Sequence, residues 1–202
     1  MSSRRALLRS GAALTTAAWV APTVLTLDRA VAATPSGGCE IPTMSNGGVW
    51  LSTPPGSLAE GGVLDSPNET YAFLEQGPVT LASDLAVNRT TAGTFGGNSN
   101  QNAIVAAGTT ICSYYVHGDR LDDSGTLTGT MQFSSHQIVG LIYRTGQMNA
   151  SNFLRNPATT YVQGPMEGND SMTMSLATGA NTLSWSMRFG PHLDQIRVIT
   201  SC

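Results

Sequence analysis

Alternation of apolar and polar residues with a period of two is the feature that most constrains this chain. From residue 48 onward, short runs of this kind are separated by turn residues. Residues 126–133 alternate most cleanly, with Leu127, Met131 and Phe133 on one side and threonines on the other. Such a period is typical of a strand with one face buried and one face in solvent. The chain therefore predicts β-structure through most of its length.

The sequence predicts several further strands and very little helix. Further strands are predicted at residues 69–75, 109–117, 138–143, 171–176, 182–187 and 193–200. One or two helical turns are predicted at 149–154, capped by Asn149 or by Thr145. The Gly- and Asn-rich stretch 91–101 is predicted to be a loop, and residues 178–181 a hairpin turn. Many short strands with polar turns predict an all-β fold, an antiparallel two-sheet sandwich of jelly-roll or lectin-like type with one short helix.

The first 33 residues have the pattern of an export signal. Arg4 and Arg5 precede a mild apolar run, and small residues allow cleavage after Ala32 or Ala33. This resembles a bacterial twin-arginine signal. A membrane anchor is the alternative, but it needs roughly 20 strongly apolar residues, and this run is interrupted by threonines and a proline. We expect a secreted protein that does not contact the membrane after cleavage.

Residues 34–202 are then expected to form a single domain. The net charge of this domain argues against nucleic acid as a partner. The chain has ten basic and thirteen acidic residues. Four arginines and one aspartate lie within residues 1–33, which leaves six arginines against twelve carboxylates and no lysine. A net charge of about −6 repels polyphosphate, so nucleic acid is not expected as a partner.

Three cysteines, Cys39, Cys112 and Cys202, all lie in the predicted domain. Export to an oxidising space favours a disulfide. A Cys39–Cys202 bond is predicted because it would join the two ends of the domain, and Cys39–Cys112 is the alternative. Cys112 lies in an apolar strand and is predicted to be a small buried side chain. The spacings match no zinc motif.

Several short motifs follow one another in the second half of the chain. They are residues 113–119, 125–133, 138–142, 154–161, 168–170 and 194–200. In this order they resemble secreted bacterial β-sandwich domains, many of which carry a PEP-CTERM-type sorting tail. The resemblance covers residues 60–200 and implies fold and location, but no mechanism, since that family has no established biochemical activity. Such relatives often continue into an anchoring tail; this chain stops at Cys202, so release is expected.

An acidic loop after the strand at 109–117 is a candidate metal site. Asp119, Asp122 and Asp123 lie close together in sequence, and Asp170 belongs to a second acidic loop. Carboxylate oxygens of this kind are the ligands that calcium prefers. The spacing is not that of an EF-hand, and a solvated turn is the competing interpretation. Calcium is the one cofactor that the sequence suggests.

Four residues form a candidate ligand-binding set: Glu75, His117, Asp119 and Arg197. A histidine beside a carboxylate can orient a general base. However, Ser113 lies about 13 Å from His117 along the same strand, too far for a nucleophile–base contact. No nucleophile-elbow motif is present. A structural ion pair is the favoured interpretation of Glu75 and Arg197, and no residue is assigned a catalytic role.

Aromatic residues offer a route to sugar binding. Trp185 alternates with Leu183 and Met187 and is predicted to be in the core. Tyr114 and Tyr115 are adjacent, so they point to opposite faces of a strand, and one of them is a candidate exposed ring.

Taken together, these features predict a non-catalytic protein of the cell surface or extracellular matrix. Its expected partner is extracellular polysaccharide or another cell-surface component, with calcium as a candidate ligand. A secreted hydrolase and a purely structural envelope protein are the alternatives.

Overall fold

The computed structural model describes residues 38–59, 61–62, 64–120, 125–161, 172–189 and 193–202. The predicted leader, residues 1–33, lies outside this described part. Within these ranges, no helix has both the length and the apolar character needed to cross a bilayer.

Strands are the main secondary structure of the described residues. The strands are β1 (Thr43–Ser45), β2 (Gly48–Trp50), β3 (Thr70–Thr80), β4 (Leu85–Val87), β5 (Gly93–Gly96), β6 (Ala103–Val105), β7 (Thr110–Gly118), β8 (Gly125–Gln132), β9 (Ile138–Ile142), β10 (Thr173–Leu176), β11 (Thr182–Phe189) and β12 (Asp194–Ser201). A short helix α1 (Thr145–Ala150) is followed by one 3-10 turn (Asn152–Leu154). The predicted all-β class with a single short helix is confirmed.

Two five-stranded sheets form the sandwich. Sheet 1 has the strand order β1-β8-β11-β10-β5, and sheet 2 has the order β2-β3-β7-β12-β9. Strands β4 and β6 form a separate two-stranded ribbon. Nearly all neighbours are antiparallel, as predicted, but β2 runs parallel to β3. The hairpin predicted at 178–181 joins β10 to β11.

The main core lies between the two sheets. Sheet 1 contributes the apolar side of its alternating strands, including Leu127, Met131 and Trp185. Sheet 2 contributes Tyr114 and Val198, among others. The period-two pattern thus sorts side chains as the sequence predicts, since alternate residues of a strand point to opposite faces.

A second core covers the outer face of sheet 2. Leu58, the β4–β6 ribbon, Met148 of α1 and Tyr161 pack there against Phe73, Tyr115 and other residues of the sheet. Because both faces of sheet 2 are covered, its central strand β7 is buried at every position after Thr110. The part of the chain that the structure describes therefore has three layers, with sheet 2 in the middle.

Two local predictions require correction. The stretch 91–101 is not entirely loop, because β5 lies within it and pairs with β10. Phe95 anchors this edge strand by burying its ring against Tyr143, with ring centroids 5.8 Å apart. The helix begins at Thr145 rather than at Asn149, and its N-terminus has no side-chain cap.

The segment before β1 is held to sheet 1 by a carboxylate. Glu40 accepts hydrogen bonds from the backbone N–H groups of Ser134, Ser135 and His136 and from both serine hydroxyls. Burial alone would raise the pKa of Glu40, but these hydrogen bonds outweigh it and lower the pKa to about 2. Hydrogen bonds to the charged form favour ionisation.

A Glu40→Gln variant is therefore expected to lose more stability at neutral pH than in acid. The native pKa lies below the unfolded value, so the contribution is present above pH 4.5 and is lost as the pH falls towards 2. Allowing for solvent screening, we expect a loss of about 1 kcal/mol at pH 7. Urea unfolding at pH 7 and pH 3 measures it, and an equal loss at both pH values would contradict this role.

Candidate functional site

Two of the four candidate ligand residues meet in the second core. Glu75 lies on β3 and Arg197 on β12, and their side chains form a fully buried ion pair. The geometry is bidentate, because Arg197 Nη2 donates to Glu75 Oε1 at 2.7 Å while Nε donates to Oε2. Ser113 on the intervening strand β7 donates to the same Oε2 at 2.9 Å.

The remaining donors of Arg197 face the end of helix α1. Its Nη1 donates to the carbonyl oxygens of Met148 and Ser151, at 3.3 and 3.1 Å, and to the Ser151 hydroxyl. Carbonyls at the end of a helix lack partners within the helix and carry partial negative charge, so a guanidinium suits them. Arg197 thus fastens α1 to the sheet, and each of its three nitrogens donates to a group within the fold.

The other two candidates lie further along the same strand. His117 is fully buried on β7, opposite Tyr71 of β3 and Gln195 of β12. Neither of its ring nitrogens has a hydrogen-bond partner in the described part of the chain. Burial lowers the pKa of His117 to about 4, although the charge of Asp65 acts in the opposite direction. The ring is therefore neutral at physiological pH.

A His117→Leu variant is expected to unfold less readily than the wild type in mild acid. The native pKa of His117 lies below its ordinary value of 6.5. The unfolding free energy of the wild type is therefore unaffected by His117 above pH 6.5. It decreases as the pH falls from 6.5 to 4, and the decrease is about 2 kcal/mol at pH 5. The variant has no such loss, so the difference in unfolding free energy between pH 8 and pH 5 should shrink. An unchanged difference would contradict a buried, unpaired histidine.

Asp119 lies just after β7 and is buried. Its carboxylate accepts a hydrogen bond from the N–H of Gly61 at 3.1 Å, and its carbonyl accepts one from Ser66. Asp119 thus ties the 61–66 loop to the end of β7. The other predicted calcium ligands, Asp122, Asp123 and Asp170, lie outside the described residues, so the calcium site stays a prediction.

The predicted His–carboxylate arrangement does not converge into one cluster. Among the described residues, the three cysteines are the one group of three or more potential ligand side chains whose donor atoms lie within 4.8 Å of one another. Glu75, His117 and Asp119 do not form such a group. The geometry expected of a hydrolase using these three residues is therefore not met.

The candidate sugar-stacking rings are buried. Tyr114 and Tyr115 point to opposite faces of β7, as predicted, but both are buried because both faces of sheet 2 are covered. The expectation that one of them is exposed is wrong. Trp185 lies in the main core, as predicted, and donates from Nε1 to the Thr70 hydroxyl at 3.1 Å.

The outer face of sheet 1 carries an array of hydroxyl groups. We call it the hydroxyl face, and it consists of Thr43, Ser45, Thr94, Thr126, Thr128, Thr130, Thr173, Ser175, Thr182, Ser184 and Ser186, with Gln132 among them. Their neighbours in sequence point into the main core. Each of these side chains is exposed or half-buried.

Strand register places these hydroxyls in rows. One row crosses all five strands and joins Ser45, Thr130, Ser184, Ser175 and Thr94 as successive cross-strand partners. Two hydrogen bonds link members of the row, Thr130 to Ser184 at 3.0 Å and Thr94 to Ser175 at 3.3 Å. Strand geometry sets a spacing of about 4.8 Å within a row.

The hydroxyl face has a second row of hydroxyls and carries almost no charge. Thr128, Ser186 and Thr173 are cross-strand partners in the next row, about 6.7 Å further along the strands. Arg188 on β11 lies opposite Thr126, at one end of the hydroxyl face. Among the described outward strand positions of sheet 1, it is the one charged side chain. The rest of the face is uncharged.

The three cysteines meet beside the main core. Cys112 on β7 is bonded to Cys39, with Cα atoms 5.8 Å apart, and Cys202 lies against the same Cys112, with Cα atoms 6.3 Å apart. The predicted Cys39–Cys202 bond is not the one formed, and the alternative Cys39–Cys112 bond is. Sequence reasoning missed that Cys112 is the shared partner, because only the β7–β12 pairing brings Cys202 to it.

Comparisons with known proteins add no relative. No family model matches the chain, and neither a curated protein nor a solved structure is detectably similar to it.

Proposed function

We propose that this chain is a non-catalytic, exported β-sandwich protein of the cell surface or extracellular matrix whose hydroxyl face binds an uncharged polysaccharide. The observation that carries the proposal is the register-aligned array of hydroxyls across sheet 1. Each hydroxyl can donate and accept, as each sugar hydroxyl can, so the two surfaces are matched in chemistry.

The side chains of the hydroxyl face also have little conformational freedom, which favours binding of an extended ligand. Serine and threonine lose little side-chain freedom on binding, and the branched threonine side chain is stiff. Single hydrogen bonds exchanged against water are weak, so affinity depends on many of them in register. A long, flat polysaccharide supplies such repetition, whereas a small ligand does not.

Insertion of charge into the hydroxyl face tests this proposal. Ser175→Lys places a long cation in the row that crosses five strands, and Thr80→Lys, at the end of β3 in sheet 2, is a matched exposed control. The assay is co-sedimentation with insoluble uncharged polysaccharides, including cellulose and chitin, with and without calcium. We expect the wild type and Thr80→Lys to bind alike, and Ser175→Lys to bind about tenfold less.

Two outcomes would overturn the glycan proposal. One is the absence of sedimentation of the wild type with every polysaccharide tested, which favours a purely structural envelope role. The other is equal binding by Ser175→Lys, which places the binding surface elsewhere. If calcium alters binding or the melting temperature, the predicted ligands Asp119, Asp122, Asp123 and Asp170 are the first to substitute.

Export is tested separately. Disulfide bonding of Cys112 supports an oxidising compartment, where such bonds persist. In a bacterial host with a twin-arginine pathway, we expect a secreted protein whose first residue is Ala33 or Thr34. Conversion of both Arg4 and Arg5 to lysine should retain it in the cytoplasm; undiminished secretion of that variant would contradict the proposed route.

A further inference from the structure

The cysteine cluster has a chemistry of its own, independent of the proposed glycan binding. Three sulfurs on three separate segments lie within 4.8 Å of one another. Both Cα separations from Cys112, 5.8 Å to Cys39 and 6.3 Å to Cys202, fall in the range that a disulfide spans. A sulfur atom forms only one disulfide, so the two bonds of Cys112 are alternatives, and the third cysteine is then a thiol.

We propose that these three cysteines form a thiol–disulfide relay in which Cys202 is the surface thiol through which the buried Cys39–Cys112 bond is made and broken. The exposures support this order. Cys112 is fully buried and Cys39 is 6% exposed, whereas Cys202 is exposed to solvent. A small external thiol or disulfide therefore reaches Cys202 first.

The internal step requires no external electron donor or acceptor. The Cys202 thiolate attacks Cys112 Sγ, the Cys112–Cys202 bond forms, and the Cys39–Cys112 bond breaks. Cys39 leaves as a thiolate and takes up the proton that Cys202 released. The number of disulfides is unchanged, and the free thiol moves from an exposed position to a buried one.

Oxidation of the reduced cluster follows the same path in reverse. A low-molecular-weight disulfide is attacked by Cys202, which forms a mixed disulfide and releases one small thiol. Cys112 then attacks Cys202 Sγ and releases the second small thiol, and Cys39 displaces Cys202 from Cys112. The balance is two cysteine thiols and one small disulfide consumed, one buried disulfide and two small thiols formed.

Gly77 has no side chain, and this leaves space for the buried Cys39–Cys112 bond. A Cβ atom at this position would lie 2.7 Å from Cys39 Sγ and 2.9 Å from the Cα of Cys112. Its φ of +146° is also one that residues with side chains rarely adopt. The backbone of β3 thus leaves room for Cys39 to reach Cys112.

Native-state reduction kinetics test the relay. The full folded chain is treated with dithiothreitol, samples are quenched with acid and alkylated, and the free thiols are counted by mass spectrometry. We expect the disulfide of Cys202→Ser to be reduced about tenfold more slowly than that of the wild type. Ser201→Ala, a neighbouring change that keeps all three cysteines, should match the wild type and controls for local loosening.

The rates decide the proposal. Slowing by threefold or more in Cys202→Ser, and not in Ser201→Ala, supports it; a smaller effect, or equal slowing in both, overturns it. If Cys202→Ser does not fold, Cys202→Ala replaces it. As an independent readout, wild type reduced and then given glutathione disulfide should show its transient mixed disulfide on the peptide that contains Cys202, and a mixed disulfide on Cys39 alone would also overturn the relay.

Discussion

An Arg197→Met variant is expected to be less stable than the wild type by about 3–5 kcal/mol. The change leaves the buried carboxyl group of Glu75 without its cationic partner, while the Ser113 hydroxyl still donates to it. It also removes the hydrogen bonds that Arg197 donates to the carbonyls of Met148 and Ser151. Guanidinium chloride unfolding measures the loss, and Arg188→Met, at an exposed position of β11, is the matched control, expected within about 0.5 kcal/mol of the wild type.

The double variant Glu75→Leu/Arg197→Met distinguishes a structural pair from a general packing defect. Removing both charges relieves the unpaired carboxylate, so the double variant should be more stable than Arg197→Met alone. Recovery is partial, because the hydrogen bonds that Arg197 donated to the carbonyls of Met148 and Ser151 are not restored. Additive losses in the double variant would show that the two side chains do not stabilise each other.

A Gly129→Ala variant is expected to lose about 2–3 kcal/mol. Gly129 on β8 lies directly opposite Trp185 of β11, and the indole ring occupies the space above it. An added Cβ would enter that ring and lie 2.8 Å from its Nε1. The ring cannot move freely, since it is buried in the main core and donates a hydrogen bond to Thr70.

Thermal and denaturant unfolding measure this effect, with Gly146→Ala as the control. Gly146 lies in α1, and nothing stands within 4 Å of a Cβ built there. Alanine is the better helix former, so the control should gain about 0.5–1 kcal/mol. If Gly129→Ala is as stable as the wild type, the packing of Trp185 over sheet 1 is incorrect.

Much of the fold could be predicted from the sequence, because strand alternation is a local signal. The inward and outward sides of β8 were evident from Leu127 and its neighbouring threonines, and the turn at 178–181 identified the β10–β11 hairpin. Strand β5 was missed because two of its four residues are glycine. Its stability comes from pairing with β10 and from the burial of Phe95, which are tertiary effects.

The sites were harder to predict, because they depend on contacts between distant segments. Glu75 and Arg197 are 122 residues apart in sequence, so no spacing rule joins them. The burial of both Tyr114 and Tyr115 depends on a third layer over sheet 2 that alternation does not show. The threonines of β8 were visible as an outward set, but the rows of the hydroxyl face require the register of five strands.

We propose that the hydroxyl face binds the ligand, whereas the buried Glu75–Arg197 pair stabilises the fold. Titration of the isotope-labelled protein with a soluble oligosaccharide, followed by NMR, tests it most directly. We expect chemical-shift changes at Thr128, Thr130, Ser175 and Ser184, with the Arg197 side-chain signal unmoved. Changes centred on Arg197, or none on the hydroxyl face at saturating ligand, would contradict it.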